Sequence, residues 1–225
     1  LSLDRFVFVT DLHGDMQDKR VVEIFFDWMK EWKPKIKVFG GDLWDFRAMR
    51  RAATPEEKQD SMQKDYDAGC VFLKRLRPKV FERGNHDERL WDFAKYKKGV
   101  IGDYAQTAVN GINKMCSSMG ATMLPWHKRN GVYKVGHLKM LHGMHCGMYA
   151  AKQHALLYGA CLFGHTHSIS SYAIPGLERR VSRDAGCLCL LDHEYNRAMP
   201  ASLRHANGWA YGVVNSKTGD YKVWQ

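Results

Sequence analysis

The chain has 225 residues, of which 45% are hydrophobic and 26% charged, with a formal net charge of +10 and a pI of about 9.3. That balance suits one globular domain with a sizeable core, residues 1–225, with room for a small helical insert near residues 46–78. No apolar run reaches the ~18 residues of a membrane span, and the six scattered cysteines include no paired CxxC set, which argues against both a disulfide framework and a structural zinc site.

Residues 6–9 (Phe-Val-Phe-Val) read as a buried strand ending at Thr10-Asp11. Residues 18–32 predict an amphipathic helix, with Val21, Phe25, Trp28 and Trp32 at helical spacing and Pro34 as its stop. A second strand over 35–39 feeds into Gly40-Gly41-Asp42. Thr54-Pro55-Glu56-Glu57 predicts a helix start, with Thr54 as cap and Glu57 closing a capping box. Met62, Tyr66, Cys70 and Leu73 supply its apolar stripe, and Pro78 ends it. Val80-Phe81 is a third short strand, and Leu90, Trp91 and Ala94 suggest a helix after it. Residues 99–136 carry little pattern beyond a helical hint at Ile112, Met115 and Met119. Strands at 138–141 and 161–163 bracket a helix over 150–158, with Gly159 as its C-cap. Extended pieces near 170–174, 180–183, 187–191, 208–215 and 220–224 follow, the last two pairing as a hairpin across 216–220.

Five motifs sit just past the ends of predicted strands. They are Asp11-Leu12-His13, Gly41-Asp42-Leu43-Trp44-Asp45, Gly84-Asn85-His86-Asp87, His142-Gly143 and Gly164-His165-Thr166-His167. Helices separate most of the strands, which is the α/β arrangement that gathers functional groups at one sheet edge. Imidazole and carboxylate are the ligands that Mn, Fe, Zn and Co take in hydrolytic sites. Asp11 and His13, two residues apart on an extended turn, point the same way. A carboxylate has two oxygens and can bridge two cations. Two cations roughly 3.5–4 Å apart can hold a hydroxide between them and grip a phosphate.

This ordered series resembles the calcineurin-like metallophosphoesterase superfamily, whose pattern is D-x-H, G-D-x-x-D, G-N-H-D/E, H, G-H-x-H. All five blocks are present between residues 11 and 167. The resemblance implies an α/β fold, a four-layer α/β/β/α sandwich, with the tail beyond 167 supplying strands to its second sheet. It implies a dinuclear metal-dependent phosphoesterase that uses a metal-bridging hydroxide. Asp11, His13 and His167 would hold the first cation, Asn85, His142 and His165 the second, and Asp42 would bridge. His86 would protonate the leaving oxygen, with Asp87 orienting its ring, and Asp45 would sit behind the ligands and accept from a ligand histidine. Two divalent metal ions are expected, Mn²⁺ first, with Fe, Zn, Ni or Co also suited.

Two branches of the superfamily are matched in part. The Ser/Thr protein phosphatases continue G-D-x-x-D-R-G, with that arginine on the phosphate; here Phe46 follows Asp45 and Arg47 comes one step late. The double-strand-break-repair nucleases have G-G-D-L-F-H, which Gly40-Gly41-Asp42-Leu43-Trp44 follows until Asp45. The basic charge, which attracts phosphate-rich partners, favours phosphodiesters of nucleic acid. The alternative is a phosphomonoesterase acting on phosphoprotein or small phosphorylated metabolites. Some members are scaffolds that have lost ligands, whereas here every ligand position is filled.

The remaining features read more plainly. Arg47, Arg50, Arg51 and Arg89 are candidates for holding phosphate oxygens, and Lys128 and Arg129 are solvated-loop residues with the same option. Trp44, Trp91 and Trp126 lie near motifs and read as core rather than base-stacking platforms. His137 and His145 compete with His142, which ends a strand and precedes a glycine. His127, His154, His193 and His205 lack partners in sequence, and His193-Glu194 has no second histidine to make a metalloprotease motif. Cys187 and Cys189 alternate along an expected strand as core thiols. Reduced thiols and an N-terminus without a signal-peptide pattern suggest a cytoplasmic location and no membrane partner. Leu1 in place of Met suggests that a segment upstream has been trimmed.

Overall fold

The computed structural model describes residues 3–177, 180–192 and 199–225, and the His193-Glu194 pair lies outside them. Strand β1 (Leu3–Val9) shows how the chain divides. Phe6 to Val9 are all fully buried, with Phe6 and Phe8 in one apolar cluster and Val7 and Val9 in another. Successive side chains on a strand point to opposite faces, so a strand buried on both is central to its sheet.

Parallel to β1 run β2 (Ile36–Phe39), β3 (Val80–Glu82) and β4 (Thr122–Leu124). On its other side β10 (Ala210–Asn215) pairs antiparallel, and β11 (Tyr221–Trp224) follows as the expected hairpin. The first sheet therefore runs β11-β10-β1-β2-β3-β4. A second sheet contains β5 (Tyr133–Val135), β6 (Leu138–Met140), β7 (Cys161–Phe163), β8 (Ile169–Ile174) and β9 (Arg180–Ala185), in the order β5-β6-β7-β9-β8.

Phe6, Phe8, Val38 and Val80 of the first sheet pack against Leu138, Met140, Leu162 and Ala185 of the second. Four helices cover the outer face of the first sheet: α1 (Lys19–Trp32), α2 (Met62–Leu76), α3 (Asn85–Tyr96) and α4 (Gly99–Ser118). Helix α5 (Ala150–Tyr158) lies on the second sheet against Leu141, Cys161 and Phe163. The packing order is helices, sheet, sheet, helix. No helix among the described residues is long and apolar enough to cross a membrane.

Three local expectations change. Thr54 and Glu57 do exchange the reciprocal bonds of a capping box, but they close a 3-10 turn at Glu57–Gln59. The α-helix starts at Met62, capped by Ser61 Oγ, which accepts from Lys64 N. Residues 99–136, sparse in pattern, contain the 20-residue α4, whose buried side includes Ala105, Ala108, Val109 and Ile112. Small residues and three separated glycines, Gly99, Gly102 and Gly111, blur its apolar stripe. Residues 187–191 form no strand. Cys187 and Cys189 make single bridges to Asn207 and Gln17 instead, and both thiols are buried.

Candidate metal centre

The C-terminal ends of β1, β2, β3, β6 and β7 bring the five motifs to one place. The first two loops are zipped together through the backbone. Asp11 N donates to Gly41 O at 2.9 Å, Leu12 N and His13 N to Asp42 O at 3.0 and 3.1 Å, and Gly14 N to Leu43 O at 2.8 Å. Gly164 N donates to His142 O at 2.8 Å, His165 N to Asp11 Oδ2 at 2.9 Å, and His86 N to Asp42 Oδ1 at 2.8 Å. This close approach explains the glycines. Gly41 stands at φ +97°, and a Cβ there would lie 2.6 Å from His142 Nδ1. A Cβ at Gly84 would collide with the Asp42 carboxylate and amide.

Asp42 is the hub. Its Oδ2 lies 3.2 Å from His142 Nε2, 3.9 Å from His86 Nε2 and 4.0 Å from His13 Nε2. Asp11 Oδ1 is 3.3 Å from His167 Nε2 and 3.9 Å from His13 Nε2, and it is buried without a hydrogen-bond partner. The Nε2 atoms of His13 and His167 face each other at 3.0 Å, as do His142 Nε2 and Asn85 Oδ1. Asp11, His13 and Asp42 converge as one ligand group; Asp42, His142 and His165 converge as another, so one carboxylate serves both. An orphaned carboxylate oxygen aimed at two imidazole nitrogens fits a divalent cation, and the mixed N/O set suits the first-row metals. His142 Nδ1 donates to Gly40 O at 2.9 Å, which turns the lone pair of Nε2 into the centre.

The electrostatics favour positive charge there. Burial opposes ionisation of Asp42, yet the charges of His142 and His86 hold it well below the usual carboxylate range. Burial also opposes a charge on His142, which Asp42 and Asp11 nonetheless lift to about 10. The same contest raises His167 to about 9, burial being outweighed by the negative charge of Asp11 beside it. His165, without such a partner, falls to about 4 by burial and the neighbouring charge of His142.

His86 lies beside the ligand set, its ring edge-on to His13 at 4.7 Å. Its Nδ1 bonds Asp45 Oδ1, and Asp45 Oδ1 also stands 3.5 Å from His13 Nδ1. One buried carboxylate thus backs a candidate cation ligand and the candidate proton donor together. Asp87 does not orient His86, which corrects the sequence reading. Its carboxylate accepts from the backbone of Gly84, Leu43 and Trp44 at 2.8, 3.3 and 3.0 Å, so it ties the Asn85 loop to the Asp42 loop. Asp87 is the third residue of α3 and points back at its own cap, as acidic residues in that position do.

A cavity of about 230 Å³ opens over the centre, lined among others by His86, Arg47, Arg50, Arg89 and His205. Arg47 is held by Asp15 at 2.7 and 3.0 Å and by Asp60. Arg50 bonds Glu57, and Arg89 Nη1 donates to Asp45 O at 2.9 Å. Arg51 is exposed and lies outside this lining. Trp44 is fully buried with its Nε1 on Tyr66 O, Trp126 Nε1 bonds Gly143 O, and Arg83 stacks over Trp91. None of the three tryptophans lines the cavity. His154 is a core residue, its two nitrogens bonded to Ala150 O and Met144 N. His127 accepts from the backbone of Arg129 and Asn130, and His137 reaches Thr218 O, both away from the centre.

Two residues at the centre have no motif in the sequence. Cys189 Sγ lies 3.8 Å from His167 Nδ1, behind the ring that faces Asp11. β9 runs parallel to β7, so the segment after Ala185 emerges at the same sheet edge as the other loops; that position was the available signal. His205 reaches the cavity because its segment bridges to Ser168, a long-range pairing that nothing local announces.

The sequence profile described as calcineurin-like phosphoesterase matches residues 4–168. Comparison with curated proteins finds no match. Among solved structures, a metallophosphoesterase from Sphaerobacter thermophilus is 12% identical, with a TM-score of 0.49 over 99% of this chain and 87% of its own. An archaeal phosphodiesterase is 11% identical, with a TM-score of 0.46 over 98% of both chains. A further structure, 9% identical, aligns over 100% of this chain and 99% of its own at a TM-score of 0.52. At such identities the likeness concerns the fold.

Proposed function

The chain belongs to the calcineurin-like phosphoesterases, metal-dependent hydrolases of phosphate esters, and from that premise we propose that it hydrolyses phosphodiesters, foremost those of nucleic acid. Asp11, His13 and His167 would hold one divalent cation and Asn85, His142 and His165 the other, with Asp42 shared. When bound, these cations supply an activated water and offset negative charge on the phosphoryl oxygens. His86 gives its Nε2 proton to the departing oxygen, and Asp45 on Nδ1 holds the ring in place and stabilises its charged form. Asp87 keeps the loops carrying Asn85 and Asp42 in register.

The observation that carries the diester reading is the state of Arg47. A phosphomonoester brings a second negative charge that a dedicated arginine would meet. Arg47, the residue offered for this by the sequence, is already paired with Asp15 and Asp60. The net charge of +10 supports a polyanionic substrate.

The test compares bis-nitrophenyl with mono-nitrophenyl phosphate in the Mn²⁺-loaded protein, followed by single- and double-stranded DNA and RNA. A higher kcat/KM for the diester is expected. Preference for the monoester would move the assignment to a phosphomonoesterase, and failure to turn over either compound with both cations bound would remove the catalytic reading.

A further inference from the structure

Four imidazole rings form a row along the cavity. His86 to His13, His13 to His167 and His167 to His205 are spaced 4.7, 4.8 and 5.1 Å between centroids. The two inner rings belong to the cation ligands. The two outer ones do not, and both line the cavity. His86 at one end is the candidate proton donor. His205 at the other end has no assigned role.

The position of His205 is fixed by backbone. Ala206 N donates to His167 O at 2.7 Å, His205 pairs across a bridge with Ser168, and His205 N donates to Ser202 O at 2.9 Å. Its Nδ1 is buried without a partner. A proton there would be a buried N–H with no acceptor, the rarer and costlier kind of unsatisfied group. The neutral ring therefore keeps its proton on Nε2, and His205 is one of the residues lining the cavity. Among the described residues His205 joins none of the converging ligand groups, so the ring is placed as a donor beside the cations rather than as a ligand of one.

We propose that His205 is a substrate-contacting residue, whose Nε2–H donates to an oxygen of the bound phosphate ester at the end of the cavity remote from His86. The proposal rests on the phosphoesterase reading of this cavity. It gives the substrate a neutral hydrogen-bond donor at one end and a proton donor at the other. For a diester the contacted oxygen lies away from the bond being cleaved, so His205 serves binding and orientation rather than proton transfer.

The experiment uses the Mn²⁺-loaded protein and three variants, His205→Ala, His205→Phe and His205→Gln. Phe keeps a ring against His167 and removes the donor; Gln keeps an N–H donor. Bound metal, kcat and KM for bis-nitrophenyl phosphate, and calorimetric affinity for inorganic phosphate are measured for each. The expected result is that Ala and Phe retain two metal equivalents while KM and the phosphate dissociation constant rise about tenfold. kcat should change less, and Gln should recover part of the loss. Wild-type KM and phosphate affinity in the Phe variant would overturn the proposal and leave His205 a packing residue. Loss of a metal equivalent in all three variants would also overturn it, in favour of a ligand role. If the wild type binds phosphate but hydrolyses nothing, the function proposed above fails, and the phosphate affinities of the variants still decide the role of His205.

Discussion

Asp11, His13, Asp42, His165 and His167 all stand on left-handed backbone, with φ between +53° and +73°. Such a conformation costs a non-glycine residue on the order of 1–3 kcal/mol, and Asp, Asn and His bear it best. Hydrogen bonds of the surrounding chain hold them there: Asp11 N to Gly41 O, His13 N to Asp42 O, His165 N to Asp11 Oδ2 and Ala206 N to His167 O. The left-handed turn is what lets two candidate ligands from one loop face the same centre immediately after a strand. Orientation of the rings is the next requirement, and Asp45 meets it for two of them. Asp45→Asn should lower kcat by roughly 10–100-fold, as loss of such a supporting partner does, while thermal stability changes little. A kcat within twofold of wild type would show that His86 does not depend on this carboxylate. Cys189 stands behind Nδ1 of His167, a proposed cation ligand, and not behind His86. Cys189→Ala should therefore weaken one of the two Mn²⁺ affinities by roughly tenfold, read by metal titration. Unchanged affinities at both sites would return Cys189 to plain core packing.

At the scale of elements, the strands and the order of the motifs were legible because both depend on neighbours in sequence. Buried β-branched and aromatic runs ended where a glycine, carboxylate or histidine began, and these are the points where β1, β2, β3, β6 and β7 stop. Three things were not legible. The capping box at Thr54 formed, yet too few apolar residues follow it to pack a helix before Ser61 offers a second start. The role given to Asp87 fell to Asp45, because α3 begins at Asn85 and turns Asp87 back toward the helix cap. Cys189 and His205 arrive through pairings across more than twenty residues. A further element-level feature is Glu82 at the end of β3, 1% exposed and with neither carboxyl oxygen partnered. Burial pushes it up to about 8 from an ordinary 4.5. The folded protein then keeps a proton that the unfolded chain has released, so stability falls as pH rises from about 4.5 to about 8. Glu82→Gln has no proton to lose. The melting temperature of the variant should gain on the wild type steadily across this range, and parallel curves would show that Glu82 is not held protonated.

The whole molecule carries 34 Lys and Arg against 24 Asp and Glu. Little of that surplus is free in the cavity, where Arg47 faces Asp15 and Asp60, Arg50 faces Glu57, and the carboxylates of Asp42 and Asp45 join the lining. The excess therefore lies outside the cavity. A small diester meets only the cavity, and at physiological salt it is screened from charges more than ~8 Å away. A polynucleotide crosses the surface and releases counterions at each phosphate it places beside a lysine or arginine. The two substrates should then separate with ionic strength. Between about 50 and 200 mM salt, kcat/KM for an oligonucleotide should fall roughly tenfold or more, and that for bis-nitrophenyl phosphate much less. Both assays need the same saturating Mn²⁺, so that weaker metal binding at high salt does not imitate the effect. Equal slopes for the two substrates would mean that the basic surface takes no part in holding substrate, and the choice of nucleic acid would lose its electrostatic support. A steep slope for the polymer alone would assign catalysis to the buried carboxylates and imidazoles and recruitment to the basic surface, two functions on separate parts of one fold.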